Sequence, residues 1–170
     1  MPDLPPDLAA VIAAGPRAQA AAAADRAVLP TPPQMLELCH KAATVCGTPC
    51  GVLTIITATD QTVKAAWGDC PTIHPGDRVD LAMSVCAYVV ADNEPLIAPD
   101  TLKAPHIKAC LALEDVRAYA GAPIHLDGQP IGALAGFGPR PQAFRRGHQI
   151  RLRRLADQAS RLIAELTHGT

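Results

Sequence analysis

The stretch "RAYAGAPIHLDGQPIGALAGFG", Arg117 to Gly138, decides the fold. Two apolar runs flank "LDGQ", and Asp127-Gly128 is a dipeptide that readily takes the left-handed backbone of a two-residue hairpin turn. Both arms are therefore read as antiparallel strands. In the first arm His125 stands between Ile124 and Leu126, so strand alternation points it away from them, toward solvent or a pocket.

Beyond Phe144, the residues Ile150, Leu152, Leu155, Ala156, Ala159, Leu162, Ile163 and Leu166 recur at helical spacing. Arg151, Arg153, Arg154, Asp157, Gln158 and Arg161 stand opposite them, which predicts a long amphipathic terminal helix. The apolar stripe is wide enough to serve a partner as well as the helix's own core.

Upstream, "PPQMLELCHKAATVCG" places Met35, Leu38, Cys39, Ala42 and Cys46 on one helical face, with Gly47 as stop signal. "CGVLTIITAT" and "TVKAAWG" read as a hairpin turning at Asp60-Gln61. "DCPTIHPGDRVD" is a loop, "LAMSVCAYVVADN" a short helix and "EPLIAPD" a short strand. "TLKAPHIKACLALEDV" reads as helical turns around Pro105. The order predicts an α+β domain, an antiparallel sheet carrying helices on one face.

Residues 1–31, rich in Ala and Pro and ending in "VLPTPP", read as an N-terminal tail with some helical propensity and little to bury; the domain occupies 33–168. The formal net charge of −1 gives no basic surface for nucleic acid, and no apolar run approaches the roughly 20 residues of a membrane span. The N-terminus lacks the basic start of a secretory signal, so a cytoplasmic protein is expected, with its six cysteines as thiols and without a disulfide framework.

At this point "SVCAYVVADNEPLIAPDT", the 117–138 hairpin and "LRRLADQASRLI" resemble a GAF domain, over about residues 33 to 167, most closely the sensory subclass found beside histidine kinases. The resemblance implies five or six antiparallel strands, adjacent first and last helices, a small-ligand pocket between sheet and loops, and pairing of the terminal helices in a homodimer. A signalling protein is the implied downstream partner. Tyr88, Asp100, His106, Tyr119 and His125 are the candidate ligand-binding residues. Arg78 and Asp100 flank the segment that caps the pocket in such domains, and Asp100 also stands where a carboxylate would cap free amides.

A second family member, free methionine-(R)-sulfoxide reductase, is resembled by "SVCA…APD…HIKAC". That resemblance implies a thiol enzyme or redox sensor in which Cys110 attacks sulfur and Cys86 resolves the sulfenic acid. Lys108 and His106 are the positive neighbours that would favour a Cys110 thiolate. The sequence departs from the enzyme's pattern in three places: a residue is inserted in "PHIKAC", "RAYAGAPI" lacks the enzyme's acidic element, and "GALAGFG" lacks its pair of aspartates. The sensory reading therefore leads, with no enzymatic activity as its corollary and the reductase as alternative.

No cofactor is expected. The aromatic set is only Trp67, Tyr88, Tyr119, Phe137 and Phe144, and the single Cys-His pair, Cys39-His40, lies in the first helix, away from where a bilin would attach. Nor is a metal expected: Cys39, His40, Cys46 and Cys50 do not follow a paired-knuckle spacing, and Cys39 and Cys46 read as buried small hydrophobes. Cys70, four residues before His74, reads as an exposed thiol.

Overall fold

The computed structural model describes residues 4–70, 72–104, 107 and 116–169. Helices α1 (Pro6–Ile12), α2 (Gly15–Ala27) and α3 (Pro33–Cys46) precede strands β1 (Cys50–Ile56), β2 (Asp60–Gly68) and β3 (Arg78–Asp80). Helix α4 (Cys86–Asp92), strands β4 (Leu96–Ala98), β5 (Ala118–Leu126) and β6 (Gln129–Gly138), and helix α5 (Arg146–His168) complete the chain. The strands form one antiparallel sheet in the order β3-β2-β1-β6-β5-β4. This is the expected α+β architecture, with α3 packed beside α5.

The β5–β6 hairpin closes as its sequence dictates. Leu126 pairs with Gln129, and Asp127 and Gly128 take φ of 53° and 77°, the doubly left-handed turn that matches strand twist. The first hairpin differs from expectation. Its turn lies at residues 57–59, because the Thr57 amide donates to the Asp60 carbonyl (2.8 Å) and the Thr57 hydroxyl to the Asp60 carboxylate (2.7 Å). Gln61 thereby becomes a strand residue.

Alternation along β1 builds two cores. Leu53 and Ile55 face α2, α3 and α5, while Cys50, Val52 and Ile56 face α1, α4 and the loop segments. The large helices occupy one face, and the short α4 with α1 shields the other. Helix α3 approaches β1 so closely at Gly51 that a Cβ there would lie 1.9 Å from the Cys39 carbonyl oxygen.

Residues 6–31 are not a tail. Ala21 and Ala24 of α2 are fully buried against the sheet and α5, and Ile12 is fully buried at the end of α1. Alanine's small side chain is what permits this close approach, and it also leaves no large apolar residue to mark a buried face in the sequence. Arg17, only 3% exposed, donates from Nε to the Ile12 carbonyl (2.7 Å) and from Nη1 to the Pro130 carbonyl (3.2 Å), pinning the α1–α2 corner to the hairpin. Burial lowers its pKa to about 10. Farther along, Lys64 pairs with Asp25, and the Thr31 hydroxyl donates to the Lys64 carbonyl.

The cysteines correct a second expectation. Cys50 and Cys70 form a disulfide, with Cα atoms 5.5 Å apart. Cys39, Cys46 and Cys86 are buried thiols, and desolvation pushes Cys39 and Cys46 up to about 12. With Cys50 bonded to Cys70, and with His40 stacked on Trp67 at 4.2 Å between ring centroids, the cysteine cluster of α3 is dispersed rather than convergent.

Candidate functional site

A cavity of about 320 Å³ opens on the α4 face of the sheet. Val52, Gln61, Tyr119 and Phe137, from four different strands, form its floor. Thr72, Ile73, Asp77, Arg78, Val79 and Asp80 form one wall, while Met83 through Cys86 close the opposite side beside Val116.

The wall is held by three devices. The disulfide fixes Cys70, two residues before Thr72, to the start of β1. Backbone bonds stitch the loop to β2: the Val63 amide donates to the Asp77 carbonyl (3.0 Å) and the Gly76 amide to the Val63 carbonyl (2.8 Å). Side-chain carboxylates close its turns, with the His74 amide donating to Asp77 Oδ2 (2.8 Å) and the Ala82 amide to Asp80 Oδ1 (2.9 Å).

The expected single helix over 81–93 is broken. A 3-10 turn spans Leu81–Met83, and α4 starts at Cys86 after Ser84, whose hydroxyl oxygen accepts from the Ala87 amide (3.1 Å). The break lets Ser84 reach across the cavity and donate to Gln61 Oε1.

At the inner end, the Tyr119 hydroxyl donates to Cys86 Sγ at 3.1 Å. Burial pushes the Cys86 thiol up, opposed in part by the Tyr119 and Thr54 hydroxyls and the residue's own backbone amide. The sulfur is thus a neutral thiol at neutral pH, a poor nucleophile.

Of the residues singled out in the sequence, Cys86, Tyr119 and Arg78 meet at this cavity. Tyr88 is buried in the core beneath α4 and does not line it. Asp100 caps the turn Thr101–Lys103 by accepting from the Leu102 amide (3.1 Å), and pairs with Arg117 through both carboxylate oxygens (3.2 Å each). It borders a separate, more open groove with Lys103 and Gln142.

His125 meets Asn93 Oδ1 at 2.6 Å, where Asn93 ends α4 in a left-handed conformation. Burial lowers its pKa against the opposing pull of Asp157, and Arg153 lowers it further. His106 and Cys110 lie outside the described residues.

The sequence reading missed Gln61 and Ser84. The first hairpin turns at residues 57–59 rather than at Asp60-Gln61, which hid Gln61, and Ser84 sat inside what read as continuous helix. The sequence signal for Ser84 was a polar residue within an apolar run, whereas Gln61 sits among polar neighbours and carried none.

No curated protein sequence matches the chain significantly. Among solved structures, the GAF domain from Acinetobacter phosphoenolpyruvate-protein phosphotransferase is similar at 16% identity and a TM-score of 0.68, covering 88% of this chain and 95% of its own. Type II free methionine-R-sulfoxide reductase from Thermoplasma acidophilum is similar at 20% identity and a TM-score of 0.62, over 86% and 95%. The blue-light absorbing form of the Thermosynechococcus elongatus PixJ GAF domain follows at 16% and 0.63, over 85% and 88%. At these identities the likeness shows a shared fold. The GAF domain family description matches residues 31–164, most of the chain, and on that match together with the sheet order and the cavity, this protein belongs to the GAF domain family.

Proposed function

We propose that this chain is a sensory module that binds a small molecule in the cavity between sheet and α4 and reports its occupancy through the packing of its helices. The observation that carries the reading is the cavity itself, about 320 Å³, walled mainly by apolar side chains with a few polar groups converging at its inner end. Strand β1 supplies a coupling element, since Val52 lines the cavity while its neighbour Leu53 packs in the α3–α5 core.

Leu36 on α3 and Ile150 on α5, each 47% exposed, with Leu166 near the end of α5, support a homodimer contact through these helices. A shift of that contact is the output to a signalling partner in the cytoplasm. No helix among the described residues is long and apolar enough to cross a membrane. The thiol-enzyme alternative receives less support, because the Cys86 thiol is buried and protonated.

The test is a metabolite library screened by melting temperature on the wild-type protein and on Ile73→Trp, which fills the cavity from its loop wall. Compounds that stabilise only the wild type are expected. A library in which no compound distinguishes the two proteins rejects the proposal.

A further inference from the structure

The polar groups of the cavity are sorted by charge, and the sorting says what it holds. Gln61 is 5% exposed, and its Oε1 accepts from the Ser84 hydroxyl, whose oxygen already accepts from the Ala87 amide. Oε1 is thereby turned to Ser84 and Nε2 away from it. Among the described residues nothing accepts from Nε2, although Gln61 lines the cavity. Nε2 is therefore open to the cavity, where water or a ligand's acceptor can meet it.

The other polar groups at the inner end are also uncharged: Tyr119 donates to the neutral Cys86 thiol. Among the described residues, every charged group lining the cavity belongs to the loop wall, and the balance there is acidic. Asp77 and Asp80 face a single guanidinium, Arg78, which is exposed and already paired with Asp60 at 3.2 Å. An anionic ligand would have to leave water for an interior where the described residues supply no cation, and pass two carboxylates to reach it.

We propose that the cavity takes an uncharged, largely apolar small molecule bearing a carbonyl-type hydrogen-bond acceptor, seated against Gln61 Nε2. This rests on the ligand-binding reading above and narrows it to a chemical class. Ser84 is the positioning residue, because its hydroxyl fixes which end of the Gln61 amide faces the ligand.

The experiment uses three probes of one shape, toluene, acetophenone and benzoate, titrated into the ¹⁵N-labelled full chain. The readout is the Gln61 side-chain amide resonance, identified by its loss in Gln61→Met, together with backbone amides of the cavity wall. Acetophenone is expected to bind several-fold to about tenfold more tightly than toluene, the effect of one buried hydrogen bond, and to move the Gln61 side-chain signal. Benzoate is expected to bind more weakly than either. Gln61→Met and Gln61→Glu are expected to bring acetophenone down to the level of toluene.

Benzoate binding as tightly as acetophenone overturns the proposal, as does an acetophenone preference that survives in both variants. If toluene binds and acetophenone binds no better, the chemical class fails while the ligand site stands. If none of the three moves a cavity resonance, the ligand site falls with it.

Discussion

Cys50, the first residue of β1, and Cys70, in the loop that walls the cavity, are joined by a disulfide across 20 positions of sequence, so this edge of the cavity is tethered covalently to the sheet. Closing a loop of this length removes denatured-state entropy equivalent to about 3 kcal/mol. Reduction with a dithiol, or Cys70→Ser, is expected to lower the unfolding free energy by about 2–4 kcal/mol, measured by urea denaturation. Alkylation of the denatured, unreduced protein should leave both residues unlabelled. Equal stability with and without reductant would show that the bridge contributes nothing.

The buried thiols of α3 set an alkaline limit. Cys39 and Cys46 rise from an ordinary 9.0 to about 12 in the fold, so folding favours their protonated form. Their contribution to stability is complete below pH 9 and is lost as pH climbs from 9 toward 12, because the unfolded chain gives up these protons first. The melting temperature is therefore expected to fall above pH 9, and to fall less steeply in Cys39→Ala. A flat profile to pH 11 would contradict the burial of these groups.

Cys86 should behave as an inert thiol. At pH 7 native protein is expected to alkylate at Cys86 at least about tenfold more slowly than after unfolding, given a raised pKa and a buried sulfur. Reduction of free methionine-(R)-sulfoxide, assayed with a dithiol, should be no greater than in Cys86→Ser. Turnover that depends on Cys86 would restore the enzyme reading.

Two glycines should respond oppositely to alanine. At Gly51 the new methyl meets the Cys39 carbonyl at 1.9 Å, and α3 must move, for a loss of about 1–3 kcal/mol. At Gly147, inside α5 with open space around it, alanine is expected to stabilise by about 0.5–1 kcal/mol. Chemical denaturation of the two variants beside wild type decides both.

Arg17→Met removes two charged hydrogen bonds and leaves the Ile12 and Pro130 carbonyls without their donor. A loss of about 2–3 kcal/mol is expected. A variant as stable as wild type would mean that the α1–α2 corner is held by apolar contact alone.

What the sequence made legible was whatever depends on neighbouring residues. Asp127-Gly128 set the β5–β6 turn by its own backbone preference, and the stripe of Leu152, Leu155 and Ile163 marked the buried face of α5. The failures share the opposite property. Alanines of α2 bury because their small side chains meet the sheet and α5, and no large apolar residue announces that face in the sequence. The bond from Cys50 to Cys70 depends on a loop folding back over a strand end. Gln61 became a cavity residue through a turn closed by Thr57 and Asp60 instead of by the glutamine itself. Of the site, Cys86, Tyr119 and Arg78 were legible by resemblance, whereas the Ser84–Gln61 contact is made between segments and leaves no local trace.

The position of the first two helices has one more consequence. Helix α1 rests on α4 beside the cavity, α2 rests on α5 across the sheet, and Arg17 clamps the bend between them to the hairpin. The N-terminal residues thus form a strap around the end of the sheet, joining its two sides outside the strands. A displacement that begins at α4 can reach α5 along this strap without deforming a single β-ladder, so the two faces are mechanically connected in parallel rather than only in series.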